Sequence, residues 1–292
     1  MITLDEAQNY TFVKKVIQAC KPNLPVFRLE KLNGNENFTY MVNDTTVVRF
    51  FKNSFIEKQI EYQQEILNFL ASRVPYPISQ FSIHYGEYQN KQQTMCVMPR
   101  IEGHVLGEEK FSQLPRTTKQ YIFDQLSVFL KSLHTINPKD MTQFKIPFME
   151  DQLARRFQTH PLYSLISNCL SVFHNRKTLC HCDLNPRNYH VNSSYQITGI
   201  FDFDTLSFAN PVFDIALYPR YSQQDSYLFK KMYEDKTKSN LDYFDGALML
   251  RMLFIMSYIQ QDLKSQKGQF LCRKIEQYFS QIQQNNIVKE YS

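Results

Sequence analysis

The order of hydrophobic and polar positions divides the chain into a strand-rich first third and a helix-rich remainder. Short runs typical of strands lie at 26–32, 38–43, 46–51, 79–85 and 94–99. Helical patterns cover 4–20 and 57–70, and the second places Ile60, Leu67 and Leu70 on one face. Beyond residue 100 the apolar residues recur at helical spacing, as at positions 122, 126, 129, 130 and 133. The pattern predicts an α+β fold with a small antiparallel-sheet lobe and a larger, mostly helical lobe.

The length is consistent with two compact lobes, and the charge argues against a nucleic-acid partner. A chain of 292 residues is long enough for two lobes, which we place at residues 1–99 and 100–292. The formal net charge of +5 is modest, and Lys and Arg are spread along the chain without a basic run. We therefore expect no nucleic-acid partner.

The sequence predicts neither a membrane segment nor a secretory signal. No apolar run reaches about 18 residues, and Thr3-Leu4-Asp5-Glu6 has the pattern of a capping box that opens a helix. The six cysteines lack the spacing of a disulfide framework. We expect reduced thiols and a cytoplasmic protein with no membrane partner. The oligomeric state stays open.

One stretch carries the residue types that phosphoryl transfer needs. Asp183 is followed by Asn188, and Asp202 lies fourteen residues after Asn188. Residues 189–191 and 196–201 read as two strands joined by a polar turn, so we predict a β-hairpin. Its open ends lie side by side, which makes Asn188 and Asp202 neighbours. A carboxylate that accepts a hydroxyl proton, beside two oxygen ligands for Mg²⁺, is the minimum for moving a phosphoryl group from ATP.

This block resembles the active site of the aminoglycoside phosphotransferase and choline kinase-like family, whose members have a protein-kinase-like two-lobed fold. The family pattern is His-Gly-Asp, four residues, Asn, and a hydrophobic strand that ends in Ile-Asp. Here Cys182 replaces the glycine. The resemblance implies that Asp183 is the catalytic base and that Asn188 and Asp202 are the metal ligands. It also implies that His181 supports the loop by hydrogen bonding.

Three more residues near this block have structural interpretations. Asp214 matches a Pro-x-x-Asp segment of the family, and we interpret it as a helix N-cap or a loop brace. Asp204 fits a turn residue better than a second metal ligand. His134, at the end of a predicted helix, fits a histidine that packs against the catalytic loop.

The first lobe contains further pieces of the family pattern in the same order. The resemblance implies that the turn around Asn35 covers the phosphates of the nucleotide and that Arg49, on a strand, reaches them. The family's helix glutamate, which pairs with that basic residue, is Gln63 here, so no ion pair is expected. The strand that ends at Pro99 would lead into the adenine-binding linker, with the Pro99 carbonyl and the Ile101 N–H as base contacts.

The resemblance, which covers roughly residues 25–220, implies an enzyme that uses ATP and Mg²⁺ to phosphorylate the hydroxyl of a small molecule. Family acceptors include aminoglycosides, macrolides, choline or ethanolamine, homoserine and a thio-sugar, and the sequence does not select among them. A protein kinase is one alternative, but the chain has Asp202-Phe203-Asp204 instead of Asp-Phe-Gly and lacks Ala-Pro-Glu. An inactive nucleotide-binding module is the other, suggested by Gln63.

Two local clusters allow other interpretations. Cys180-His181-Cys182 contains soft-metal ligands, but a zinc site needs a second ligand cluster and none follows in the sequence. Five tyrosines of the second lobe could form an aromatic cage for a quaternary ammonium group, although tyrosines at helical spacing more often belong to the core. They are Tyr218, Tyr221, Tyr227, Tyr233 and Tyr243.

Overall fold

The computed structural model describes residues 2–32, 37–51, 60–149, 177–217 and 221–250, with single positions at 151, 167, 173, 269, 273 and 277. Its contacts divide the chain into two compact units. The first unit consists of Met1–Glu102 with Thr198–Ile200, and the second of Gly103–Ile197 with Phe201–Ser292. These units are groups of mutual contacts, and the lobe boundary after residue 99 stays a prediction.

The first unit is built on a five-stranded antiparallel sheet, as the alternating pattern predicts. Its strands lie in the order β1-β2-β3-β5-β4. They are β1 Leu29–Leu32, β2 Asn37–Val42, β3 Thr46–Phe51, β4 Ser82–Tyr88 and β5 Lys91–Pro99. Alternate residues of β2, namely Phe38, Tyr40 and Val42, are buried in one core with Val48 and Phe50 of β3. One face of the sheet is therefore a hydrophobic layer.

The predicted helix over 4–20 is in fact two elements. Thr3 and Glu6 form the predicted capping box, in which each side chain accepts the backbone N–H of the other residue. That box opens only a 3₁₀ turn, Glu6–Gln8, because Asn9 has extended backbone and caps a second start. The side chain of Asn9 accepts the N–H of Phe12, and the α-helix runs over Tyr10–Cys20.

The Tyr10–Cys20 helix packs on the hydrophobic layer of the sheet. Its Val13, Val16 and Ile17 are fully buried in the same cluster as the β2 and β3 side chains. The approach is closest at Gly86 of β4, where an added Cβ would lie 2.7 Å from backbone atoms of Ala19 and Cys20. Only glycine leaves room for the helix at this position.

The second predicted helix of this unit lies over Ile60–Ala71 in the described residues. Ile60, Leu67 and Leu70 are buried together with Ile66, so the predicted apolar face is confirmed. The Gln64 amide donates to the Phe81 carbonyl at 2.7 Å and fixes the helix beside the chain that enters β4.

The second unit is mostly helical. The helical spacing of the apolar residues at 122–133 is confirmed by a helix that spans Arg116–His134, in which all five are fully buried. Further helices are Gly107–Gln113, Val212–Ile215 and Gln223–Thr237, with 3₁₀ turns at Pro138–Met141 and Phe203–Thr205. Residues 244–250 are helical as well. The sequence also has helical patterns near 150–159, 161–175 and 268–284, and these segments lie, apart from single positions, outside the described residues.

Three short strand pairings frame the polar segment that the sequence singles out. β7 (Thr178–Cys180) pairs antiparallel with β10 (Ser207–Ala209). A three-stranded sheet has the order β6-β8-β9, with β6 at His104–Val105, β8 at Tyr189–Val191 and β9 at Ile197–Ile200. In the described part of the chain, no helix combines the length and the apolar character that a bilayer crossing requires.

Replacing Gly86 by alanine should destabilise the first unit. The new methyl group would overlap the helix backbone, which cannot move like the end of a flexible side chain, so we expect a loss of about 1–3 kcal/mol in unfolding free energy. Urea unfolding followed by circular dichroism measures it. Glu87→Ala, an exposed change on the same strand, is the control and should stay within about 0.5 kcal/mol. Equal stability of the two variants would contradict the close approach.

Candidate active site

The predicted β-hairpin is present between Asn188 and Asp202. β8 and β9 form its arms, and the Asn192 N–H donates to the Gln196 carbonyl at 3.0 Å to close the turn. The Asn192 side-chain oxygen accepts the N–H groups of Ser194 and Gln196, both at 2.9 Å. The turn is thus built by one asparagine, a residue type that favours such turns.

The open end of the hairpin brings the two predicted metal ligands together. The Phe201 N–H donates to the Asn188 carbonyl at 3.0 Å, and Asp202 follows Phe201 directly. Asp202 has left-handed backbone (φ 67°, ψ 61°), a conformation that aspartate tolerates better than most residues. This reversal ends the strand, and the Asp202 carboxylate is exposed.

Asn188 also binds the predicted base directly. Its amide Nδ2 donates to the Asp183 carboxylate at 3.1 Å and to the Asp183 carbonyl at 2.8 Å. Because both donors of the amide belong to Nδ2, the Oδ1 atom projects away from these contacts. A single side chain therefore orients a carboxylate and presents an oxygen on its other side.

The loop between Asp183 and Asn188 is held in one conformation by its own polar groups. The Asn185 side chain, 2 % exposed, accepts the N–H of Arg187 at 2.9 Å and donates to the Asp183 carbonyl at 3.2 Å. The Tyr221 hydroxyl donates to the Leu184 carbonyl at 3.1 Å. Sequence reasoning missed both supports. Asn185 offered a signal, since asparagine two residues after an aspartate is typical of a polar turn, whereas Tyr221 offered none.

His181 joins the two arms of the site, as predicted. Its Nδ1 accepts the Asp183 N–H at 3.3 Å, so its Nε2 carries the proton and donates to the Phe201 carbonyl at 3.1 Å. The ring is fully buried and packs on Phe203. The imidazole thus connects the loop that carries Asp183, the predicted base, to the end of the strand that precedes Asp202.

Asp214 braces the catalytic loop through its backbone. One carboxylate oxygen accepts the His181 N–H at 3.0 Å and the other accepts the Cys182 N–H at 2.5 Å. The first oxygen also accepts a bond from His134 Nε2 at 2.8 Å. Asp214 lies inside the Val212–Ile215 helix rather than at its N-cap. The loop-brace interpretation is therefore confirmed and the N-cap interpretation is wrong.

The charge of Asp214 is stabilised despite complete burial. Burial acts to raise its pKa, but the hydrogen bond from His134, the electrostatic influence of the His134 and His181 rings and the bond from the Cys182 amide outweigh it, so the pKa lies below its ordinary value. The resulting stability is present above the unfolded-state pKa of about 4 and is lost as the pH falls through the folded-state pKa.

Cys182 stands where the family has glycine, and its backbone explains that preference. Its φ is +65°, in the left-handed region that costs a residue with a Cβ about 1 kcal/mol or more. The side chain is 2 % exposed and its N–H is bound by Asp214. The Asp214 brace therefore holds a non-glycine residue in a left-handed conformation.

No second ligand cluster follows Cys180-His181-Cys182 in the sequence, but the fold brings two further candidate ligands to Cys180. Ligand atoms of His134, Cys180 and Asp214 all lie within 4.8 Å of one another, because the Arg116–His134 helix ends beside β7. Hydrogen bonds to His134 and to the loop amides already engage Asp214. Burial raises the pKa of Cys180 well above its ordinary value, which disfavours the thiolate that zinc requires.

In the first unit, Arg49 lies on β3 with its side chain on the face opposite the hydrophobic core. Its neighbours Val48 and Phe50 are buried in that core, and successive strand residues point to opposite faces. The Arg49 Nε atom is buried without a hydrogen-bond partner in the part of the chain that the structure describes. A buried guanidinium nitrogen of this kind fits an anionic ligand.

The other predicted nucleotide contacts have different outcomes. β5 ends at Pro99 as predicted, and the Arg100 N–H then donates to the Thr45 carbonyl at 2.8 Å. The Ile101 side chain packs so closely on Gly199 that a Cβ there would lie 2.6 Å from it. Asn35 lies outside the described residues. The role of Gln63 beside Arg49 stays a prediction.

The tyrosines that could form an aromatic cage differ in their burial. Tyr221 and Tyr233 are at most 2 % exposed and belong to the core, while Tyr227 is 42 % exposed. Tyr218 lies outside the described residues. For Tyr221 and Tyr233, core packing is thus the correct interpretation.

Comparison with known proteins shows which family the chain belongs to. The model of a family described as the phosphotransferase enzyme family matches residues 29–236. The chain belongs to the phosphotransferase enzyme family. The match includes β1 to β5, the catalytic loop, the hairpin and nearly all of the Gln223–Thr237 helix.

Solved structures of phosphotransferases have the same kinase-like fold as this family member. The GDP complex of wild-type aminoglycoside 2'-phosphotransferase-IIIa matches with a TM-score of 0.69 and 21% identity, covering 96% of this chain and 100% of that chain. The streptomycin–ATP complex of APH(2")-IIa gives 0.62 and 16%, covering 88% and 89%. Macrolide 2'-phosphotransferase type I gives 0.65 and 11%, covering 91% and 97%.

Two substitutions at Cys182 should separate the backbone cost from the loss of the thiol. Cys182→Gly and Cys182→Ala both remove the sulfur, but only glycine adopts a φ of +65° without strain. We expect the glycine variant to be more stable than the alanine variant by about 1 kcal/mol, the reverse of the usual order. Urea unfolding measures the difference, and a more stable alanine variant would contradict it.

Proposed function

We propose that this phosphotransferase transfers the γ-phosphoryl group of ATP to a hydroxyl group of a small molecule, with Asp183 as the base. The observation that carries the proposal is the double contact of Asn188. Its side chain binds the Asp183 carboxylate, and its carbonyl binds the strand end that carries Asp202. A base and two oxygen donors are thus coupled through one residue, as phosphoryl transfer requires.

The oxygen donors fit a hard divalent cation. Asn188 Oδ1 and the Asp202 carboxylate would hold Mg²⁺, which prefers oxygen ligands and retains several waters. The Asn188 amide is oriented by its bonds to Asp183, and Asp202 is exposed at the strand end. When bound, the cation neutralises charge on the transferred phosphate.

The residues of the loop then have distinct roles in the reaction. The acceptor hydroxyl donates a hydrogen bond to the Asp183 carboxylate, which takes its proton as the new oxygen–phosphorus bond forms. The bond from the γ-phosphorus to the bridging oxygen breaks, and ADP leaves. Since this transition state is loose, accurate placement and charge neutralisation supply most of the acceleration. Arg49 contributes a permanent positive charge for the nucleotide phosphates, and Pro99 and Ile101 contact the adenine of the nucleotide.

The relatives support this reaction and indicate the range of substrates to test. One was solved with GDP, and another with ATP and streptomycin. A third is named for a macrolide. We therefore propose a small alcohol as acceptor, with amino-sugars and macrolides as the first candidates and ATP tested beside GTP.

The cysteines support the proposed cytoplasmic location. Cys20, Cys96, Cys180 and Cys182 are buried free thiols. Reduced, unpaired cysteines of this kind are usual in the cytosol, whereas secreted proteins tend to pair them.

Removing either acidic group should abolish most of the turnover without unfolding the chain. We expect Asp183→Ala and Asp202→Ala to lower kcat by at least about 100-fold, because each supplies charge or proton transfer in the transition state. Coupled detection of nucleoside diphosphate release measures kcat, and circular dichroism checks the fold. Asp204→Ala, an exposed aspartate in the same 3₁₀ turn, is the matched control and should stay within a few-fold. Near-normal turnover by Asp183→Ala would refute its assignment as base.

The metal assignment predicts a specific change in Mg²⁺ dependence. Asp202→Asn keeps an oxygen but removes the negative charge, so we expect the Mg²⁺ concentration for half-maximal activity to rise at least about 10-fold. EDTA should abolish activity, and excess Mg²⁺ should restore it. An unchanged Mg²⁺ dependence in Asp202→Asn, with Asp204→Asn as control, would exclude Asp202 as a ligand.

A screen of acceptors distinguishes the proposed enzyme from an inactive nucleotide-binding module. The purified chain is incubated with ATP or GTP and with one acceptor class at a time, and release of ADP or GDP is recorded. The acceptors are amino-sugars, macrolides, choline, ethanolamine, homoserine and thio-sugars. Stimulation by one class identifies the acceptor. Nucleotide binding without release under any condition would support the module instead.

A further inference from the structure

We propose that Tyr233 and His134 are positioning residues for phosphoryl transfer. In this scheme the Tyr233 hydroxyl fixes the His134 imidazole as its Nε2–H tautomer, and that N–H orients the Asp214 carboxylate that holds the catalytic loop. The inference rests on the proposed role of Asp183 as base. It makes turnover depend on Tyr233, which lies on the Gln223–Thr237 helix and does not take part in the reaction itself.

The three side chains form a continuous line of hydrogen bonds inside the second unit. Tyr233 Oη lies 2.7 Å from His134 Nδ1, and His134 Nε2 lies 2.8 Å from Asp214 Oδ2. Tyr233 and Asp214 are at most 1 % exposed, and His134 is 8 % exposed. Water is therefore excluded from nearly all of the line, which strengthens each bond and makes an unpaired group costly.

The carboxylate at one end decides the direction of these bonds. Asp214 is ionised and accepts only, so His134 Nε2 must carry a proton. In the neutral imidazole Nδ1 is then an acceptor, and the Tyr233 hydroxyl is the donor placed to satisfy it. Without that hydroxyl, Nδ1 would be a buried acceptor with no partner, and the Nε2–H tautomer would lose its advantage.

The line ends at the peptide groups that precede the base. Asp214 Oδ2 accepts from both His134 and the His181 N–H, and Oδ1 accepts from the N–H of Cys182. Cys182 is held at a φ of +65° and Asp183 follows it. A rotation of the Asp214 carboxylate would therefore be transmitted to the peptide that sets the direction of the Asp183 side chain.

Tyr233 lies on the Gln223–Thr237 helix and His134 ends the Arg116–His134 helix. Their rings pack edge to face with centroids 5.5 Å apart. The line of hydrogen bonds thus makes the position of the Asp183 carboxylate depend on how these two helices pack against each other. It also accounts for the closeness of His134 and Asp214 without a metal ion.

The tautomer is tested directly by NMR. The chain contains seven histidines, so the His134 ring is assigned by its absence in His134→Gln. Its ¹⁵N shifts should show a protonated Nε2 and an unprotonated Nδ1 in the wild-type protein. A protonated Nδ1 in the wild type would overturn the proposal, whatever the enzyme does in an assay.

The kinetic test uses Tyr233→Phe, which removes only the hydroxyl, and Tyr40→Phe as its matched control. Tyr40 is fully buried in the first unit, and its hydroxyl donates to the Ala7 carbonyl. Both variants lose one buried hydrogen bond, so we expect similar drops in Tm. Only Tyr233→Phe should lower kcat, by about 10-fold, with the nucleotide KM unchanged within about twofold, because the base is misplaced while the nucleotide contacts remain.

A conservative replacement of the histidine completes the design. His134→Gln keeps a donor for Asp214 and should retain more kcat than His134→Leu, which keeps none. Equal kcat for Tyr233→Phe and Tyr40→Phe would overturn the positioning role, as would equal kcat for the two His134 variants. These outcomes are distinct from failure of the proposed function, in which the wild-type chain itself shows no turnover.

Discussion

The conformation of the loop from Asp183 to Asn188, the proposed catalytic loop, depends on hydrogen bonds made by Asn188. Its side chain reaches back five residues to Asp183, and its carbonyl reaches across the hairpin to Phe201. Neither contact is strong alone, since a typical hydrogen bond contributes about 1 kcal/mol net. Together they restrain both the Asp183 carboxylate and the strand end at Phe201. Accurate placement of charged groups is the main requirement of phosphoryl transfer, and here a single residue contributes to the placement of two of them.

Strain at two positions is offset by contacts made elsewhere in the second unit. Cys182 and Asp202 both have left-handed backbone, the first immediately before Asp183, the proposed base, and the second two residues after the end of β9. Backbone of this kind persists where the surroundings over-determine it. Asp214 supplies that restraint at Cys182, and the bond from Phe201 to Asn188 supplies it next to Asp202. The stabilised charge of Asp214 thus contributes to the shape of the loop as well as to its stability.

Sequence reasoning was most successful where local pattern and local structure coincide. The hairpin from 189 to 201, the end of β5 at Pro99 and the buried face of the Arg116–His134 helix depend on alternation, turn residues and helical spacing within short segments. It failed where distant residues meet. Nothing in the local pattern at Tyr221 or Tyr233 shows that their hydroxyl groups bind Leu184 and His134. The break at Asn9 was missed because the helical pattern runs on through two successive starts, one capped by Thr3 and the next by Asn9.

By itself, the sequence determined the two-part α+β organisation, the strand and helix periods, and the candidate residues for the chemistry, because these follow from side-chain type and spacing. The tertiary structure alone decided how those residues are held. Asp214 lies 31 positions after Asp183 in the sequence, and His134 lies 80 positions before Asp214, yet one carboxylate connects all three. Buried polar groups must find partners wherever the fold provides them. Those partners are set by helix packing, which short-range patterns do not encode.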